Sequence, residues 1–207
     1  MGEEQYPQEN PADMAKKYYI TALLFLVNVV LFILYTFCGE IVYNVGSLNL
    51  EGVFSKHQYY RIVTCVFLHG GLEHLVYNMI MLVALGEMLE RLAGHMRFAI
   101  LYILSGMGAS MFSLLFMAFS DKVYSSVGAS GAIFGLIGAL FVIVVLNNGR
   151  FGYISLRRII LSIALQLYAG IKTPFVDNAA HVGGLLCGVL VMLIMIKGVN
   201  RKRGDNF

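Results

Sequence analysis

The chain has 207 residues, 58% of them hydrophobic and 13% charged, and a mean hydropathy of +0.74. It is too apolar for a soluble domain and too short for two domains, so it reads as one polytopic membrane domain. A formal charge of +3 without any basic run interleaved with aromatics argues against a nucleic-acid partner.

Residues 1–17 are polar and too short to fold alone, and are expected to form a cytosolic tail. The domain is expected over 18–198, followed by a short basic cytosolic tail over 199–207. Within it, apolar runs predict spans over 19–37, 72–89, 98–119, 128–146, 159–170 and 179–196. The first is long enough to span and no Ala-x-Ala-like site follows it, so it reads as a retained helix and not as a signal peptide. The fifth is short and must be extended, tilted or sheltered.

Six spans put both termini on one side. If that side is the cytoplasm, Lys16, Lys17, Arg91, Arg97, Arg150, Arg157, Arg158, Lys197, Arg201, Lys202 and Arg203 lie inside. Lys56, Arg61, Lys122 and Lys172 then lie outside, a bias that supports the orientation and the count. The segment 38–71 mixes Ile41, Val42, Tyr43, Val53 and Phe54 with Glu40, Asn44 and Lys56. It is expected to lie partly in the interface, with Tyr43, Tyr59 and Tyr60 at headgroup level. Cys38, Cys65 and Cys187 are odd in number and lack metal-like spacing, so they read as small apolar packing residues.

Three polar residues on alternate spans share one depth. His74 lies 16 residues before Glu90, Ser130 17 before Asn147 and His181 16 before Lys197. At 1.5 Å per residue, each sits roughly 24–26 Å above the polar residue that closes its helix. In a hydrocarbon slab about 30 Å thick, all three come just below the outer surface. A serine and two imidazoles there have the composition of a catalytic site.

Ser130 lies among Gly128, Gly131 and Gly135, and His181 is followed by Gly184 and Gly188. Such small-residue faces let two helices approach closely. If they meet, the imidazole can take the serine proton. No carboxylate matches their depth, since Asp121 and Asp177 belong to outer loops and Glu87 and Glu90 to the inner end, so the expectation is a dyad. His74 and Asn78, four residues apart, share a helix face and can donate to one oxyanion together with the Ser130 amide. Taken singly, each of these features also fits a plain packing contact or a polar clamp between helices. A metal site is disfavoured, because His69-Gly70-Gly71-Leu72-Glu73-His74 matches neither His-Glu-x-x-His nor His-x-x-Glu-His. His57 and His95 read as loop residues without a role.

Together, His74-x-x-x-Asn78, Gly128-Ala129-Ser130-Gly131 and Ala180-His181-x-x-Gly184-x-x-x-Gly188 resemble the rhomboid family of intramembrane serine proteases, over nearly the whole chain after the N-terminal tail. The resemblance implies an all-α membrane protein: a minimal six-helix bundle whose loop between the first two helices is partly embedded. It implies Ser130 as nucleophile, His181 as general base, and His74, Asn78 and the Ser130 amide as oxyanion hole. It also implies that Phe134 packs on the His181 ring, and that no cofactor or metal takes part. Where the family frequently has Trp-Arg before the second helix, this chain has Tyr60-Arg61.

The expected partners are substrates with transmembrane helices and the lipid bilayer, in a bacterial-type plasma membrane with the site opening outward. Two other classes compete. An inactive rhomboid-like protein would hold clients in the same groove, and a small transporter or proton relay would titrate His74 and His181. The sequence names neither a substrate nor an oligomeric state.

Overall fold

In a computed structural model, residues 17–120, 124–174 and 176–203 are described, with side chains through 198. Of the tails expected over 1–17 and 199–207, residues 1–16 and 204–207 lie outside the described residues, as do Asp121 and Lys122. The main helices are α1 (Tyr19–Cys38), α4 (Leu72–Ala93), α5 (His95–Phe119), α6 (Ser130–Leu146), α7 (Leu156–Lys172) and α8 (Asn178–Arg203). Two short helices, α2 (Glu40–Gly46) and α3 (Arg61–Thr64), fold within the first long connection.

Among the described residues, four helices are long and apolar enough to cross a membrane by length and composition: Tyr19–Cys38, Leu72–Ala93, His95–Phe119 and Asn178–Gly198. The α6 and α7 helices are shorter, at 17 residues each. Burial of twelve of its 17 residues shelters α6 at the centre of the bundle. The α7 helix extends past the predicted 159–170 at both ends. It turns Ile160, Leu161, Leu165, Tyr168 and Ile171 outward, where lipid is the natural neighbour of apolar side chains. A tight hairpin, β1 (Arg150–Phe151) with β2 (Ile154–Ser155), joins α6 to α7, a feature the sequence reading lacks. The α8 helix runs to Arg203, through what was expected to be tail, because Lys and Arg propagate a helix well and no proline interrupts them.

Lipid tails give no hydrophobic drive for one helix to leave them for another, so close backbone approach has to hold the bundle. A Cβ on Gly184 would overlap the Gly131 carbonyl, and one on Gly188 would overlap the Gly135 carbonyl. These glycines therefore bring α8 onto α6. On the other side of α6, Gly131 meets Ala109 of α5 and Gly135 meets Ser105.

Two buried charged residues hold the periphery. Glu90, at the lower end of α4, accepts hydrogen bonds from the Ile20 and Thr21 amides at 3.0 and 2.8 Å and from Thr21 Oγ1 at 2.6 Å. These are the second and third amides of α1, which has no capping side chain of its own, so Glu90 supplies the cap from 70 residues away. His95 Nδ1 meets the same carboxylate at 2.5 Å, which corrects its reading as a loop residue without a role. His57 stays in the connection and contacts the Tyr59 hydroxyl at 3.1 Å.

Arg61 organises the connection between α1 and α4. Its guanidinium donates to Ser47 O at 2.6 Å, Asn44 O at 2.8 Å and Gln58 Oε1 at 2.7 Å. Tyr60 lies beside it, 5.9 Å from ring centroid to guanidinium carbon, and Tyr59 and Tyr60 are both exposed. Arg61→Ala is expected to cost about 3 kcal/mol, since it strands two carbonyls and ends three charge-assisted bonds. Arg61→Lys should rescue little, because an ammonium lacks the planar fork. Limited proteolysis within 39–60, alongside the melting temperature, checks both variants.

Of the cysteines, Cys65 is buried with its Sγ 3.2 Å from Ser110 Oγ, and Cys187 packs half-buried between α8 and α5. Cys38 is exposed at the end of α1, so the packing reading fails there.

Candidate active site

Ser130 is the first residue of α6, preceded by Gly128 at a φ of +135°, a backbone region that favours glycine. The helix consequently starts at Ser130 and not at the predicted 128. Gly128 is also no helix-packing glycine. A Cβ there would stand 2.7 Å from His74 Cε1, 2.8 Å from His74 Nε2 and 3.8 Å from Ser130 Oγ. Its missing side chain leaves open the space between the His74 ring and the serine. As the first helical residue, Ser130 also presents an amide without an intrahelical partner.

The strand-like approach to Ser130 is pinned from two sides. Leu48 and Ser126 exchange both backbone hydrogen bonds, at 3.0 and 2.9 Å, and the Gly128 amide donates to Cys65 O at 2.9 Å. Behind it, His69 is buried with Nε2 facing the Ala129 amide at 3.5 Å and its ring edge-on to His74, 5.0 Å between centroids. His69 was weighed in the sequence only as a metal ligand. Among the described residues no group of three or more His, Cys, Asp or Glu is arranged to hold a metal ion.

His181 sits on the first turn of α8, with its Nε2 2.9 Å from Ser130 Oγ. Phe134, one turn past the serine, stacks on its ring at 4.2 Å with 10° between the planes. The His181 Nδ1 is buried, and no hydrogen-bond partner faces it among the described residues. The ring is therefore aimed by stacking and by its hydroxyl partner, and no carboxylate among the described residues hydrogen-bonds to it. Asn78 is buried one turn below His74 and donates from Nδ2 to the His74 carbonyl at 2.8 Å, which leaves one amide hydrogen for another acceptor.

An open cavity of about 1910 Å³ reaches Ser130, and His74, Gly128 and Tyr77 also line it. It extends between the connection after α1 and the C-terminal ends of α5 and α7, so the serine is open to the surface. A hydroxyl hydrogen-bonded to an imidazole, beside donors for an oxyanion, can carry out acyl transfer.

The family model for the Rhomboid domain matches residues 56–198. The chain is 39% identical over 153 residues to RHOMBOID-like protein 1 of Arabidopsis thaliana, covering 73% of this chain and 38% of that one. It is 31% identical over 196 residues to Rhomboid protease GluP of Bacillus subtilis (strain 168), covering 90% of this chain and 36% of the relative. Inactive RHOMBOID-like protein 8 of Arabidopsis thaliana is 33% identical over 144 residues, covering 69% and 40%. The chain thus spans well under half the length of these relatives.

Proposed function

The chain belongs to the rhomboid family and is a multi-pass integral membrane protein, and from that premise we propose that it is a serine endopeptidase that cuts transmembrane segments near their outer ends. The observation that carries this reading is the 2.9 Å contact between Ser130 Oγ and His181 Nε2. His181 takes the Ser130 proton as Oγ attacks the scissile carbonyl, and returns it to the leaving amine. The oxyanion accepts from His74, from the Ser130 amide and from Asn78 as its free N–H turns inward. Water entering through the cavity then hydrolyses the acyl-enzyme, with His181 again as base.

The substrate must unwind where it is cut, because a helical carbonyl is already hydrogen-bonded and turned along the helix axis. Placing the site close to a helix end lowers that requirement. The positive-inside bias of the sequence supports an orientation with the serine end of the bundle outside and both termini in the cytoplasm.

Purified protein in proteoliposomes with a single-span substrate tests this reading. Products cut within the outer third of the span, mapped by mass spectrometry, are expected. Folded protein that binds the substrate but leaves it intact would favour a client-holding role over catalysis; one relative is itself named as inactive.

A further inference from the structure

Asp177 was assigned from sequence to an outer loop, away from the chemistry. The structure makes it a junction of three elements. It precedes the first residue of α8, its Oδ1 accepts the Ala180 amide at 2.9 Å, and its carbonyl accepts the His181 amide at 3.2 Å. This is an N-cap on the helix that carries His181. From α5, the Ser113 hydroxyl donates to Oδ2. The Tyr124 side chain, on the connection leading to Ser130, lies beside this group; burial, and after it the Asp177 charge, push its phenol above the ordinary range, so it stays neutral next to the carboxylate.

The His181 ring needs such a neighbour. When it takes the Ser130 proton, positive charge develops on a buried imidazole whose Nδ1 has no acceptor among the described residues. Two described titratable groups act on the ring by charge, Asp177 at the head of its own helix and His74 from α4. Of these only Asp177 can be negative. The α6 face offers the Phe134 ring, and α5 holds the carboxylate itself through the neutral Ser113.

We propose that Asp177 is a positioning residue for the Ser130–His181 pair: held by Ser113, it fixes the start of α8 and lends remote negative charge to the imidazolium formed during acylation. The inference rests on the protease reading above.

The test compares wild type, Asp177→Asn and Asp177→Ser, as full-length chains, for cleavage of the single-span substrate across pH. Asn and Ser cap helices about as well as Asp, so both keep the cap and remove the charge. The expected result is a kcat about tenfold lower with KM little changed. The acidic limb of the kcat/KM profile should also move to lower pH by about one unit, because an imidazolium without a nearby anion gives up its proton more readily. Uncharged variants that fold and superimpose on the wild-type profile would overturn the proposal. So would failure of both to fold, which would make the Asp177 charge and its Ser113 contact a requirement of the fold and not of the reaction. A wild type that cleaves nothing, although folded, overturns the protease reading and this inference with it.

Discussion

Ser130→Ala and His181→Ala are each expected to lower cleavage by on the order of 10³-fold or more, and the double variant should be no worse than either alone. The reason is geometric. Ser130 Oγ and His181 Nε2 are 2.9 Å apart and in the proposed mechanism act as one proton-transfer unit, so removing either member would disable the other. Independent contributions would multiply instead. The same series separates the protease from a proton relay, in which His181→Ala would abolish activity and Ser130→Ala would not. Neither substitution removes a residue that holds the bundle together, so melting temperatures should stay close to wild type. The measured quantities are initial cleavage rates in detergent and in proteoliposomes, with thermal unfolding as the check on folding.

The second large effect is structural. Gly188→Val is expected to separate α8 from α6, destabilising the fold by several kcal/mol and abolishing activity, because its side chain would collide with the Gly135 carbonyl. A flexible side chain can swing away from a new methyl group, but a helix backbone cannot. Gly184→Val should behave alike, through the Gly131 carbonyl one turn nearer the dyad. Gly198→Ala serves as the control on the same helix, since nothing stands within 4 Å of the position its Cβ would take. Thermal unfolding and cleavage should fall together for the first two and stay unchanged for the third. A Gly188→Val protein with wild-type stability would mean that α6 and α8 are not held by this approach.

The Ser130–His181 meeting was legible in the sequence because each ingredient is local to its own helix. Spacing to the inner end set the depth, and glycines at 131, 135, 184 and 188 marked the faces that come together. What depended on distant partners was not legible. Glu90 read as an inner-end charge because the amides it caps lie at Ile20 and Thr21, 70 and 69 residues away. His95 followed the same error, since its role is its contact with Glu90. Asp177 looked like a loop residue because Ser113, which donates to it, lies 64 residues earlier. Gly128 was read as a packing glycine when its positive φ and its place under the His74 ring make it part of the site. No pattern in one sequence distinguishes a glycine needed for helix packing from one needed for an open backbone turn, although its position just ahead of the helix start was a signal.

Arg61 shows a different limit. The sequence offered Tyr60-Arg61 as a pair, and the aromatic drew attention, yet the arginine holds the Ser47 and Asn44 carbonyls while the exposed tyrosine only flanks it. A buried cation in a connection between spans is hard to anticipate, because its partners are backbone carbonyls that every residue carries.

Covalent labelling tests the central claim most directly. Folded wild-type protein is treated with a fluorophosphonate and the adduct is located by mass spectrometry. A single modified residue, Ser130, is expected, with labelling strongly slowed in His181→Ala. An unlabelled Ser130 in folded protein, or labelling at an undiminished rate without His181, would contradict that claim.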